Sequence, residues 1–424
     1  NKKVEVRLSA NDEYIVGIDI GTTKVTTLIG RVERNNILKI KGYGISGCKG
    51  IKKGLITDVN EATKSILNSI EMAEKSTKMF IDNAYIGVTG KHISFVSNWC
   101  EIDISSPNKI VRKADVDKLI YMANKVNISS QYEIIHTLIK QFVVDEERGI
   151  VDPIGLSTNK LAVELLAIYG TASLISNVVN SVKAAKIEIE DIIIEALASS
   201  EAVLTPEEKE SGVILLDIGG GTTDVAIYKN KKMVFVYCLP VGGDLITNDI
   251  SIGLNITFSK AEEIKKKFAN VDFNFYETLN KVNIGDIKID SNKTTLNIRL
   301  YNIVNCRVKE LLSLVKGKVE GFSLMHEVPC GLVITGGTSL LKGIAPLANS
   351  VFNLPVRLGV PYDTEGPPEV IGSPIYSTGV GLLKYASQLE NYRSLNQIGE
   401  KRELHTFINK FREFILKILK NESR

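Results

Sequence analysis

The stretch VILLDIGGGTTDVAIY, residues 213–228, decides the fold. An apolar run enters Asp217-Ile218, three glycines follow at 219–221, and a second apolar run leaves through Thr222-Thr223. Taken alone, glycines between two strand-like runs describe either a tight hairpin or a phosphate cradle. A second copy tips the balance. YIVGIDIGTTKVTTLIG, residues 14–30, repeats the plan: an apolar strand into Asp-Ile-Gly, a short Gly/Thr turn, then a strand rich in β-branched residues. Asp19 and Asp217 hold the same place in the two copies. A duplication on this scale predicts two similar domains facing each other.

The residue types suit phosphate. Glycines let backbone N–H groups approach an anion closely. Thr22, Thr23, Thr222 and Thr223 add hydroxyl donors. A carboxylate closing each first strand, Asp19 and Asp217, can hold a metal through water or orient an attacking water. The GxxxxGK[ST] pattern of a P-loop is absent. A third glycine signal, GLVITGGTSLLKGI at 331–344, runs from an apolar strand into Gly336-Gly337 and then an expected helix from Thr338 or Ser339. Amides at a helix start suit a nucleotide, and the same pattern fits an ordinary strand–glycine–helix turn.

Composition sets the frame. The 424 residues exceed one ordinary core, so two or more domains are expected. Fifty-two Lys and Arg against 49 Asp and Glu leave a net charge of +3, too small for a nucleic-acid platform, so no nucleic-acid partner is expected. The five cysteines are scattered, form no CxxC pair and read as buried small hydrophobes in a reducing cytosol. The four histidines lack metal-ligand spacing. No run of about 18 apolar residues exists to span a membrane. The opening NKKVEVRLSANDEY lacks the apolar core of a signal peptide, so a cytoplasmic chain is expected.

The three glycine segments together resemble the actin-like ATPase superfamily, and closer detail resembles its FtsA family of bacterial division proteins. EALASSEAVLTPEEKESGVILLDIGGGTTD, LPVGGDLITNDI (239–250), AEEIKKKFA (261–269) and VVDEERGIVDPIGLSTNKLAVELLAIYG (143–170) carry that likeness. It implies an α/β, actin-like two-lobed fold with duplicated ribonuclease-H-like cores, an FtsA-type inserted subdomain and a C-terminal amphipathic helix. It also implies ATP with Mg²⁺ in the cleft and at most weak hydrolysis. Asp19, Gly21, Thr22, Thr23 and Lys24 would face the phosphates. Asp217, Gly219, Gly220, Gly221, Thr222 and Thr223 would close from the other lobe, with Gly242 and Gly243 at the border. Asp217 and Asp19 would approach Mg²⁺ through water. Glu262 and Lys265, three apart on one helix face, would reach the adenosine, and Gly336, Gly337 and Ser339 would flank the nucleotide. Asp217 and Glu195 are the candidate catalytic residues; Glu195 reads equally as a helix-face carboxylate paired locally.

The expected division places subdomain 1A at 1–88 and 168–196, the inserted subdomain 1C at 89–167, 2A at 197–245 and 318–388, and 2B at 246–317. The polar run 386–402 reads as a linker, set at 389–402 after the last apolar helix. Residues 403–424 then form an amphipathic helix. Leu404, Phe407, Ile408, Phe411, Phe414, Ile415, Ile418 and Leu419 recur at helical spacing, flanked by Lys410, Arg412, Lys417 and Lys420. A basic, aromatic, terminal helix of this kind suits anionic membrane lipids, and a docked or partner-binding helix shares the pattern.

The resemblance further implies head-to-tail filaments through 1C, other divisome partners, and the C-terminal peptide of the tubulin-like protein FtsZ at 2B. There a late helix near Tyr301–Val315 carries Arg307, Lys309 and Glu310. Arg307 reads as a contact or as a solvated charge. The expected function is an ATP-binding polymer that tethers the FtsZ ring to the cytoplasmic face of the membrane at the division site. The alternatives are a PilM-like peptide-docking scaffold and a sugar-kinase-like phosphotransferase.

Overall fold

Both glycine segments fold as β-hairpins, one in each of two matching sheets. The computed structural model describes residues 14–33, 37–106, 108–272 and 293–397. Strands β1 (Ile15–Ile20), β2 (Lys24–Val32) and β3 (Leu38–Gly47) form an antiparallel meander. All six β1 residues are buried, as an apolar strand covered on both faces must be. A two-strand hairpin, β4 (Ile51–Lys52) and β5 (Leu55–Ile56), leads to helix α1 (Val59–Thr77). Asp58 caps that helix by accepting from Glu61 N, and Ala62, Ile66, Ile70 and Ala73 bury one face at 3–4 spacing. Gly44 lets α1 lie close on β3: a Cβ there would stand 1.9 Å from Ser69 O.

After β6 (Asn83–Val88) the chain leaves this lobe. It builds β7 (Ser94–Asp103), α2 (Lys113–Ala123), β8 (Tyr132–Val144), β9 (Glu147–Ile150) and β10 (Lys160–Thr171). These strands make a separate sheet in the order β7-β10-β8-β9. Ile102, Ile104, Leu119, Phe142, Leu161 and Leu165 form its small core with α2. The chain returns through α3 (Ala172–Ala184) and β11 (Glu188–Ile194), and α4 (Glu195–Val203) then carries it to the second lobe.

The second lobe opens with α5 (Pro206–Ser211), started by Thr205 and Glu208 as a capping box with Pro206 in the first turn. Next come β12 (Val213–Ile218), β13 (Thr223–Lys229) and β14 (Lys232–Leu239), then α6 (Gly243–Leu254), α7 (Phe258–Phe268) and α8 (Lys293–Glu320). β15 (Leu332–Thr335), α9 (Ile344–Phe352) and β16 (Val356–Leu358) complete its sheet. The chain ends with β17 (Thr364–Glu365), α10 (Pro368–Ile371) and α11 (Ser377–Gln397). The duplication is visible in the strand orders: β3-β2-β1-β6-β11 in the first lobe against β14-β13-β12-β15-β16 in the second. β17 adds only an edge beside β3. Helices α4 and α11 cross where Gly381 meets Ala198, and a Cβ on Gly381 would lie 1.7 Å from Ala198 O.

Several sequence expectations are corrected. Residues 386–397 are not linker but the continuation of α11. Their polarity does not break a helix, no Gly or Pro intervenes before Gly399, and Ala386 is fully buried. The expected helix after Gly337 is a single 3₁₀ turn, Gly337–Leu340, and α9 starts only at Ile344. Left-handed Gly343 (φ 81°) separates the two. Of the cysteines only Cys238 is buried; Cys306 is exposed on α8, off the stripe of Leu300, Val304, Val308, Leu311 and Val315. Arg307 is neither free nor fully solvated, since it pairs with Asp249 on α6 and with Glu310. Among the described residues no helix is long and apolar enough to cross a membrane. The expected tail helix, with Phe407, Ile408, Phe411, Phe414, Ile415, Ile418 and Leu419, lies outside the described residues.

Candidate functional site

The two hairpin turns share one geometry. Gly21 N donates to Lys24 O at 3.0 Å, and Gly219 N donates to Thr222 O at 2.9 Å. The ladders close at Ile20–Val25 and Ile218–Thr223, so Gly21-Thr22-Thr23-Lys24 corresponds in register to Gly219-Gly220-Gly221-Thr222. The turns face each other across the lobes. A Cβ on Gly220 would stand 1.9 Å from Thr23 Oγ1, and one on Gly221 would stand 2.4 Å from Thr22 Oγ1. Thr22 Oγ1 accepts from Gly54 N of the β4–β5 hairpin at 3.1 Å. Thr223 is turned inward and donates to Val241 O at 2.8 Å.

The start of α6 fixes the second turn. Gly243 N donates to Gly219 O at 2.9 Å and Asp244 N to Gly220 O at 2.8 Å. Gly242 makes this approach possible: its Cβ would lie 2.5 Å from Gly220 O. Thr338 Oγ1 also donates to Gly219 O at 2.9 Å, tying in the third glycine segment. Gly336 (φ 83°) backs onto Asp217, with a Cβ there 2.3 Å from Asp217 Oδ1. Ser339 is buried and spends its hydroxyl on Gly336 O at 2.7 Å. Gly337 is open, with Ile375 Cγ1 at 4.0 Å as the nearest neighbour of a Cβ. Glu262 and Lys265 pair at 2.7 Å, and Lys265 Nζ donates to Gly243 O at 3.0 Å. That pair therefore reaches the same border.

Beneath the turns lie buried carboxylates: Asp19, Asp217, Asp224 and Glu195. Glu195 begins α4 at the lobe junction, and its Oε1 is buried without a hydrogen-bond partner. Thr378 Oγ1 donates to Asp217 Oδ2 at 3.0 Å, and Thr89 Oγ1 donates to Asp224 Oδ1 at 2.6 Å. Lys24 is the cation among them. Its Nζ donates to Ile375 O at 2.7 Å and stands 4.7 Å from the Tyr376 ring centre.

One lysine does not balance four carboxylates. Burial, the largest cause, holds Asp217 up to about 6, with Asp19 adding repulsion and Thr378 opposing it. Burial likewise holds Asp224 up to about 7, against the Thr89 hydrogen bond. Glu195 is raised well above the carboxylate range, first by burial and then by Asp19, Asp224 and Asp217. Asp19 is raised by burial against the pull of Lys24, and Lys24 is lowered by burial against these carboxylates. Burial and mutual repulsion thus push these carboxyls above the ordinary range, and an added cation would pull them back down.

Sequence reasoning passed over Asp224, Thr89, Thr378 and Asp244. Asp224 carried a signal, a carboxylate inside the apolar strand TDVAIY. It pairs directly opposite Asp217, so the two share a face. Thr89 and Thr378 carried none, because each reaches the site from far along the chain.

Comparison with known proteins places this geometry. A family model described as cell division protein FtsA matches residues 214–381, and one described as the SHS2 domain inserted in FTSA matches residues 90–169. Cell division protein FtsA of Pseudomonas aeruginosa is 35% identical, covering 89% of this chain and 90% of that protein. The chain belongs to the FtsA family. FtsA of Bacillus subtilis is 32% identical over 89% of this chain and 84% of its own. The sheet β7-β10-β8-β9 falls within the span of that family's inserted domain except for the last two residues of β10. Among solved structures, the PilM-PilN type IV pilus biogenesis complex aligns with TM-score 0.61 at 14% identity, covering 87% of this chain and 97% of that one. MreB5 of Spiroplasma citri bound to ADP aligns with TM-score 0.50 at 13% identity, covering 90% and 98%. The solved structures show the actin-like fold, and the FtsA relatives show a cell-division family.

Proposed function

We propose that this FtsA-family chain binds ATP with Mg²⁺ between its lobes, polymerises, and tethers the FtsZ ring to the membrane. The observation that carries the nucleotide reading is the pair of matched glycine turns facing each other over a buried carboxylate cluster. The residues fit the group. At Gly220, Gly221, Gly242 and Gly336 any Cβ would collide with Thr23, Thr22, Gly220 O and Asp217, so only glycine lets the backbone of the two turns come this close, and Glu195 Oε1 is a buried acceptor without a donor. Polar atoms buried this way ordinarily find partners.

In this reading the backbone of both turns, with Thr22 and Thr23, receives the phosphates. Asp19 and Asp217 hold Mg²⁺ through water, and Glu262, Lys265 and the open Gly337 border the adenosine. Bound Mg²⁺ supplies charge neutralisation of the phosphates. Glu195, whose carboxyl is held well above the usual range first by burial and then by Asp19, Asp224 and Asp217, organises the site rather than driving fast hydrolysis. Thr378 orients Asp217, and α6 holds the Gly219 turn. MreB5, the solved neighbour above, is itself named as bound to ADP, which supports the nucleotide reading by analogy of fold.

The tether rests on residues 403–424. One weak amphipathic helix per subunit becomes a strong anchor when filament formation makes later binding events intramolecular. The α6–α8 unit is proposed to receive the FtsZ C-terminal peptide. The test is liposome flotation of the full chain and of the chain lacking residues 403–424, each with Mg-ATP on anionic vesicles. Flotation is expected only for the full chain; retained flotation after truncation refutes the anchor. Mg-ATP titration of the same two proteins is expected to give equal affinity.

A further inference from the structure

The chain enters the inserted sheet from the first lobe and returns to the first lobe, yet its lead-in segment is held by the second. Residues 89–95 comprise the connection after β6 and the first two residues of β7, and both ends grip lobe two. At one end Thr89 Oγ1 donates to Asp224 Oδ1 at 2.6 Å and lies 3.3 Å from Cys238 Sγ. At the other, the Phe95 ring centre lies 5.5 Å from Phe235 and 5.9 Å from Phe322, which are themselves 4.8 Å apart. Asp224 stands on β13, and Cys238 and Phe235 on β14, whose pairing sets Asp224 against Cys238 and Ile227 against Phe235. Asp224, Cys238 and Phe235 of the two grips therefore belong to one β-ribbon, with Phe322 added from beyond α8.

Between the grips the segment is compact. Gly90 (φ 133°) turns the chain, Ile93 N donates back to Gly90 O at 3.0 Å, and Ile93 is buried. A Cβ on Gly90 would meet His92 Nδ1 at 2.9 Å. The inner grip is also adjacent to the phosphate turn: Asp224 directly opposes Asp217 and follows Thr222-Thr223.

We infer that residues 89–95 are a lever, pinned at Thr89 and Phe95 to lobe two, through which cleft closure sets the orientation of the inserted sheet. The inference deepens the nucleotide reading and rests on it. A change in the β12–β13 turn shifts Asp224 against Thr89, and β14 carries Phe235 against Phe95. Phe235 packs edge-to-face on both Phe95 and Phe322, at interplanar angles of 74° and 64°, a preferred geometry that resists sliding. Phe235 is 1% exposed and serves as the fixed member, while Phe322 is 54% exposed and closes the trio from outside.

The test is amide hydrogen exchange on the full chain with and without saturating Mg-ATP, with Mg-ATP affinity and melting temperature measured in parallel. In the wild type, exchange at residues 94–103 is expected to slow by about fivefold or more on binding. Thr89→Val and Phe322→Ala are expected to cut that response to less than about twofold, whereas Thr89→Ser, which keeps the hydroxyl, retains it. Phe322→Leu replaces the alanine variant if that one melts early. A wild type that binds Mg-ATP without change at 94–103, or variants that respond as wild type does, overturns the lever alone. A wild type that takes up no Mg-ATP overturns the nucleotide reading and the lever together.

Discussion

At the scale of single residues, the site depends on what glycines omit and on where carboxylates are buried. Gly220→Val would drive a side chain into Thr23, since even a Cβ there falls 1.9 Å from Thr23 Oγ1. The expected result is loss of Mg-ATP affinity by roughly tenfold or more, about 1.4 kcal/mol or more, with the melting temperature nearly unchanged. Asp224 gives a pH prediction. Its folded carboxyl is held up to about 7 from an ordinary 3.8, so between those values the folded state binds more protons than the unfolded one. Stability from this group therefore falls as pH rises from about 4 to about 7 and is level above that. Buried His92 and His136, both lowered to about 4 by burial, act oppositely below about 6.5. The difference between wild type and Asp224→Asn isolates the carboxyl. In urea melts, the asparagine variant is expected to gain on wild type as pH rises toward 7, and a flat difference would refute the assignment.

At the scale of elements, the hairpins are held by what packs behind them. Helix α11 lies on α4 with Gly381 against Ala198, and each helix also supplies a site residue, Thr378 and Glu195, from its first turn. Gly381→Ala is expected to destabilise by about 1–3 kcal/mol, because a Cβ 1.7 Å from Ala198 O forces the helices apart. Chemical denaturation measures it, and a stability equal to wild type would show that the crossing tolerates a wider separation. The same crossing explains why α11 runs to Gln397 through polar sequence: its first half is fixed by packing, and nothing in 386–397 stops the helix. Composition alone made that stretch look like linker.

At the scale of the whole molecule, two lobes of one topology frame a shared cleft, and an inserted sheet hangs from the first lobe while leaning on the second. Nucleotide-linked closure, filament formation and membrane attachment are proposed to act in series. If they do, blocking polymerisation at protein concentrations where one tail helix binds weakly is expected to reduce liposome flotation by on the order of a hundredfold, the scale of a lost multivalent gain. Unchanged flotation would separate the anchor from the polymer.

The sequence by itself determined the duplicated hairpins and the third glycine segment, while the inserted span was legible only through family resemblance. The hairpins and the glycine segment are local signals, written in strand periodicity and in glycines flanked by apolar runs. It also contained Asp224, in full view within a strand. What only the tertiary structure decided is how distant residues meet. Thr378 reaches Asp217 across 161 positions, Thr89 reaches Asp224 across 135, and Phe95 reaches Phe235 from another lobe. The protonation of the carboxylates belongs to this second class, because burial and neighbouring charge set it and neither is a property of one segment. The glycines at 219–221 belong to both: their spacing marked a turn, and the facing threonines of the other lobe gave that turn its partner.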